Sequence, residues 1–129
     1  MSTPKLTPAE LQTRRVGLGL SQSELADLLS TTQVVVSRWE TGIASPRDPD
    51  GVRALLSEYE SRLLAVEDRL LARADELQPG APVELRVPAR EEYGGTDSAQ
   101  ILPYASMYRA CVARVALVLR DEGRSVTIS

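Results

Sequence analysis

Gln33, Val34, Ser37 and Arg38 stand on one side of a short stretch with helical spacing, Gln33 to about Thr41. Together they offer a carboxamide, a branched apolar group, a small hydroxyl and a guanidinium. These groups match the edges of base pairs. An amide pairs both polar atoms of adenine, and valine meets a thymine methyl. A guanidinium grips guanine or a phosphate, and a serine hydroxyl contacts either. Each good two-bond pair discriminates by about 1–3 kcal/mol. No other stretch of the chain carries a comparable chemistry of its own.

Groups of this kind read a duplex only if their helix is held in register. Ser21 followed by Glu24 is a capping box, so a helix starts at Gln22. Leu25, Ala26, Leu28 and Leu29 give it an apolar face. Ser30-Thr31-Thr32 breaks the pattern, and Thr32 caps a second helix. Val35, Val36 and Trp39 fall at inward spacing, opposite the candidate contact face, and Gly42 ends the helix. Ala26 is small, as a steep crossing at a short turn requires. Upstream, Thr7-Pro8-Ala9-Glu10 is a further capping box. It predicts a helix from Pro8 to about Leu18, with Leu11, Val16, Leu18 and Leu20 contributing to the core.

The stretches L-S-Q-S-E-L-A at 20–26, T-T-Q at 31–33 and S-R-W-E-T-G at 37–42 carry a family resemblance. Residues 8 to about 56 resemble the Cro/repressor-type, Xre-like helix-turn-helix domain. The resemblance implies a bundle of about five helices that binds an operator as a dimer, its second motif helix in the major groove. It implies that Gln22, with the N–H groups of its helix end, holds a phosphate. Thr32 and Thr41 are short donors flanking the recognition helix, and Arg47 is a further phosphate contact from the loop. Thr32 as a simple cap and Thr41 as a solvated helix end are the plainer alternatives. The resemblance further implies an internal ion pair between Arg15 and Glu40, tying the first helix to the third.

Composition narrows the function classes. With no histidine and one cysteine, the commonest acid–base catalyst and the usual zinc ligand sets are missing. No catalytic site, metal or cofactor is expected. Cyanate-degrading enzymes carry a similar helical domain without binding DNA, and their active site resembles an Arg followed three residues later by Glu on a helix. Here Arg109, Arg114 and Arg120 are followed at that spacing by Val112, Leu117 and Gly123. Apolar runs are too short to span a membrane, and the opening residues lack the apolar core of a signal peptide. A cytoplasmic protein is the expectation. Net charge is −3. Residues 1–47 hold five basic side chains against four acidic, and residues 48–78 hold four against eight. The acidity therefore lies away from the motif. A nearly neutral contact domain leans on specific contacts more than on bulk attraction.

Beyond Gly42 a proline-containing loop leads to a helix capped by Asp48 or Asp50. Val52, Leu56, Tyr59, Leu63, Val66, Leu70 and Leu77 follow alternating four- and three-residue steps, with Arg73 in one apolar slot. One helix over 52–78 would be roughly 40 Å long; a break near 57–61 is the alternative. Val83 to Val87 alternates as a strand, and 89–100 reads as a loop around one helical turn. Pro103 opens a helix to about Glu122. Its apolar face is Tyr104, Met107, Tyr108, Cys111, Val112, Val115, Val118 and Leu119, and residues 125–128 form a last strand. The expected class is mainly α: a five-helix helix-turn-helix domain over 1–58, then a long helix and a strand–helix–strand dimerisation region over 59–129. This layout is similar to that of some phage-associated and anti-CRISPR-associated repressors. The expected function is a homodimeric repressor reading a double-stranded, inverted-repeat operator. An antitoxin or adaptor, its C-terminal half bound to a protein partner, is the rival reading.

Overall fold

The computed structural model describes residues 5–129. The opening residues examined for a signal peptide begin in the segment outside that range. The chain divides into two compact units between Glu60 and Ser61.

In the first unit, α1 (Pro8–Gly17), α2 (Gln22–Leu28) and α3 (Gln33–Thr41) precede the start of α4 (Pro49–Asp75). Each of the first three starts at a side-chain cap. Thr7 Oγ1 accepts from Glu10 N–H at 3.1 Å. Ser21 and Glu24 form the reciprocal box, at 3.0 and 2.9 Å. Thr32 accepts from Val35 N–H. Asp48, not Asp50, caps α4, its Oδ1 accepting from Gly51 N–H at 3.0 Å.

Leu11, Leu18, Leu20, Leu25, Val36 and Leu56 form the buried centre, joined by Leu6 and Val52. Val16 does not join them; it is 59% exposed. Leu11 and Leu18 lie seven residues apart on one helical face, and Val16, five beyond Leu11, points well away from it. Among the described residues of this unit there are four helices, where the resemblance implies about five. No glycine or proline interrupts the closing helix after Gly51, so it runs on to Asp75 without a break at 57–61. Arg14 fastens α1 to α4 through Glu60, at 2.6 and 3.0 Å, and through the Ser57 hydroxyl.

The second unit holds the rest of α4, β1 (Val83–Leu85), α5 (Arg90–Tyr93), a 3₁₀ turn (Asp97–Gln100), α6 (Ala105–Asp121) and β2 (Val126–Ile128). β1 and β2 pair in parallel, Val83 with Val126 and Leu85 with Ile128. Parallel pairing needs a crossover, which α6 supplies. The core comprises Leu63, Val66, Leu70 and Ala74 of α4 with Met107, Cys111, Val112, Val115, Ala116 and Leu119 of α6.

Three expectations change here. Leu77 lies past the end of α4 and is 42% exposed, while Ala74 takes the slot next to Arg73. A 3.6-residue helix drifts off a seven-residue repeat, so the face moves on by one position. Val118 is 44% exposed, while Ala116, outside the expected face, is buried. Residues 89–100 hold two short turns, not one.

Cys111 is fully buried, and burial foremost pushes its thiol up to about 12, with the Glu67 charge adding to the shift. Such a thiol is a small core group, not a nucleophile. Glu67 is a buried carboxylate of the second unit. Its Oε1 lies 2.8 Å from Arg114 Nε but makes no well-directed hydrogen bond. Burial pushes its carboxyl above the usual range; the Arg114 charge pulls it back and Asp68 pushes it further up. A raised acid costs stability while ionised, and the cost fades as pH falls through the folded value. Glu67→Gln is therefore expected to raise the melting temperature at pH 7, with a gain that shrinks as acid protonates the carboxyl. A lower melting temperature at pH 7 would contradict this account of Glu67.

Candidate nucleic-acid interface

α3 is positioned from both ends and from beneath. Val36 is fully buried and anchors the helix, which packs against both α1 and α2. The turn before it is tight. Ser30 adopts φ 57°, and Thr31 N–H reaches back to the Ala26 carbonyl at 2.9 Å. This is the left-handed closure usually made by glycine, made here by serine at a cost of roughly 1–2 kcal/mol. Ala26 is buried beneath it, where a longer side chain would push α2 and α3 apart. At the far end Gly42 takes φ 80° and stops the helix.

The outward side of α3 carries Gln33, Val34 and Arg38, all exposed, with Ser37 half-buried beside them. Val34 is 54% exposed, so its branched side chain is open to contact. Thr32 and Arg47 are exposed as well. Arg47 borders a groove of about 700 Å³ with the half-buried Trp39. Thr41 donates its hydroxyl to the Ser37 carbonyl at 3.0 Å and must rotate before it donates elsewhere.

Three helices meet in one polar network. The Arg15 guanidinium forks onto Glu40, Nε to Oε2 at 2.6 Å and Nη2 to Oε1 at 2.9 Å, while Nη1 donates to the Leu20 carbonyl at 2.8 Å. The two side chains are only 11% and 3% exposed. Glu40 Oε1 also accepts from Gln22 Nε2 at 3.1 Å, and Gln22 Oε1 accepts from Gln33 Nε2 at 2.7 Å. Burial raises the Glu40 carboxyl, but the hydrogen bonds from Arg15 and Gln22 and the Arg15 charge outweigh it, leaving the group below its ordinary value.

This chain of contacts runs from a buried ion pair to the tip of α3. It leaves Gln33 one amide N–H and its carbonyl oxygen for an incoming base, the donor and acceptor that adenine requires. It leaves Gln22 one N–H at the start of α2. The Gln22–Gln33 link is absent from any single-helix pattern, since it joins two helices across a turn.

Residues 11–50 match the family model described as helix-turn-helix. The segment runs from Leu11 in α1 to the first turn of α4, so it contains the whole network and the outward face. The first unit is a helix-turn-helix domain of the Cro/repressor type. The match supports a DNA-binding transcriptional regulator, and it covers less than a third of the 129 residues. No curated protein matches the chain. Among the described residues no helix is long and apolar enough to cross a membrane, and no cluster of acidic, cysteine or histidine residues could hold a metal ion.

Proposed function

We propose that this protein is a homodimeric, cytoplasmic repressor that reads an inverted-repeat operator in the major groove. Residues 1–58 contact DNA and residues 59–129 hold two copies together. The observation that carries the reading is the tethered Gln33: an exposed amide at the start of α3, held by Gln22 and through it by the Arg15–Glu40 pair. A side chain fixed in advance loses less freedom when it meets a base. Val34 covers a thymine methyl, Ser37 contacts either edge, and Arg38 grips guanine or phosphate. Gln22, Thr32, Thr41 and Arg47 position the backbone.

Gln33→Ala and Arg38→Ala test this directly. Against a duplex selected from random sequence, each is expected to weaken binding by about 1–3 kcal/mol, or roughly 5- to 150-fold. Both sites are exposed, so the melting curves should stay within about 0.5 kcal/mol of the parent. Unchanged affinity in both variants would remove the proposed readout.

A further inference from the structure

β1 has an open edge. Val83 N–H donates to the Ser125 carbonyl at 2.8 Å, the Leu85 carbonyl accepts from Ser129 N–H at 2.9 Å, and Val87 N–H donates to the Ser129 carbonyl at 2.7 Å. Backbone groups alternate in direction along a strand, so those of Glu84 and Arg86 face away from β2. Among the described residues the sheet has two strands, so no strand pairs with β1 on that side. A groove of about 300 Å³ is lined by β1 residues, Glu84 and Arg86 among them, together with Leu70, Ala74, Leu77 and Tyr108. An open edge beside an apolar groove is the arrangement that strand addition uses. A two-stranded ribbon is marginal alone.

We propose that this edge pairs with the same edge of a second copy, antiparallel about a two-fold axis at Leu85, to make a four-stranded sheet. This deepens the homodimer of the proposed function and rests on it. Charge and proline select both the occupant and the register. Bonded pairs across this edge must join outward-facing residues, Glu84 or Arg86. One register sets Glu84 against the partner's Glu84, and another sets Arg86 against the partner's Arg86. The third sets Glu84 against the partner's Arg86 twice over.

Opposite charges directly across an antiparallel pair stabilise it, and like charges destabilise it. The two like-charge registers also bring Pro82 or Pro88 opposite a bonding residue, where no N–H is available. The third register keeps every donor and ends the ladder at the prolines. Leu85 then meets the partner's Leu85 at the close, non-bonded position, as its own N–H and C=O direction requires. Its side chain is on the buried face, beside the groove. Among the described residues Arg86 pairs with Glu92 at 3.1 Å in a solvent-exposed pair, which exchanges at little loss.

Sedimentation equilibrium of the full chain without DNA tests the pairing. Glu84→Arg and Arg86→Glu each turn both cross-strand pairs into like charges, and each is expected to weaken the dimer about tenfold or more. Mixing the two variants should restore association as a heterodimer. The double exchange Glu84→Arg/Arg86→Glu should restore the homodimer. Circular dichroism checks that every variant is folded. A dimer unmoved by the single exchanges overturns this edge pairing and leaves the homodimer standing on some other surface. Folded monomeric singles that neither mixing nor the double exchange rescues overturn it as well. A parent chain that is monomeric at micromolar concentration removes the edge pairing and the homodimer together.

Discussion

Arg15→Ala is expected to destabilise the helix-turn-helix unit by about 3–5 kcal/mol, a large share of the roughly 5–15 kcal/mol that holds a domain folded. The loss has two parts. Glu40 is left ionised with its side chain 3% exposed, and the Leu20 carbonyl loses its 2.8 Å donor. Glu40→Ala should cost a similar amount, because it strands the Arg15 guanidinium. A pair of apolar replacements, Arg15→Met with Glu40→Leu, should recover much of the stability, since a buried pair adds little net over well-packed apolar groups. It should not recover full operator affinity, because Gln22 then has no anchor and Gln33 is no longer held. Urea unfolding and DNA titration on the three variants separate these effects. If the double variant binds as tightly as the parent, the network has no role in recognition.

The same pair sets a pH dependence. The folded Glu40 carboxyl lies below its ordinary value. Its contribution is therefore complete above the unfolded carboxylate value, roughly pH 4–4.5, and is lost as pH falls through the lower folded value. Glu67 acts in the opposite direction in the second unit, where protonation relieves a cost. Acid should thus weaken the first unit through Glu40 while easing the second through Glu67.

The second large effect lies in the irregular segment between β1 and α6. Tyr93 is 3% exposed, its hydroxyl donates to the Leu102 carbonyl at 2.6 Å, and its ring packs 5.8 Å from that of Tyr108. Its own carbonyl accepts from the Thr96 hydroxyl at 2.7 Å. One side chain therefore ties together two short turns that have little internal stability. Tyr93→Ala should cost about 3–5 kcal/mol, as other large aromatic truncations do. Tyr93→Phe should cost about 1–3 kcal/mol, because the Leu102 carbonyl is buried without a donor. Burial foremost, helped by Tyr108, pushes the Tyr93 phenol up to about 12. Its stabilising effect should thus persist to about pH 10 and fall away above, where the unfolded phenol ionises first. Thermal melts of both variants check the order; a Tyr93→Phe melt equal to that of the parent would contradict the role given to the hydroxyl.

These sites differ in how far the sequence discloses them. The caps of α1, α2 and α3 are legible because each is a bond between residues three apart. The outward face of α3 is legible because a helix sorts its residues by spacing alone. The Gln22–Gln33 contact is not, since it joins two helices across a turn that Ser30 closes in the left-handed region. Val16 and Val118 mislead for different reasons: Val16 points well away from the buried side of α1, and Val118 falls at the edge of the face that α6 buries. β1 and β2 are three residues each, and their parallel pairing depends on the whole of α6 folding between them. The Tyr93 side chain gives no local sign, because its partners lie nine residues on and in α6.

The most direct test is a selection of duplexes from a random pool with the full chain, followed by titration of the winner and of a shuffled duplex at the same salt. The account predicts an inverted repeat, bound roughly a thousandfold or more tighter than the shuffled sequence, with adenine facing Gln33 and the preference relaxed at that position by Gln33→Ala. A folded protein that enriches no sequence, or binds both duplexes equally, would contradict it.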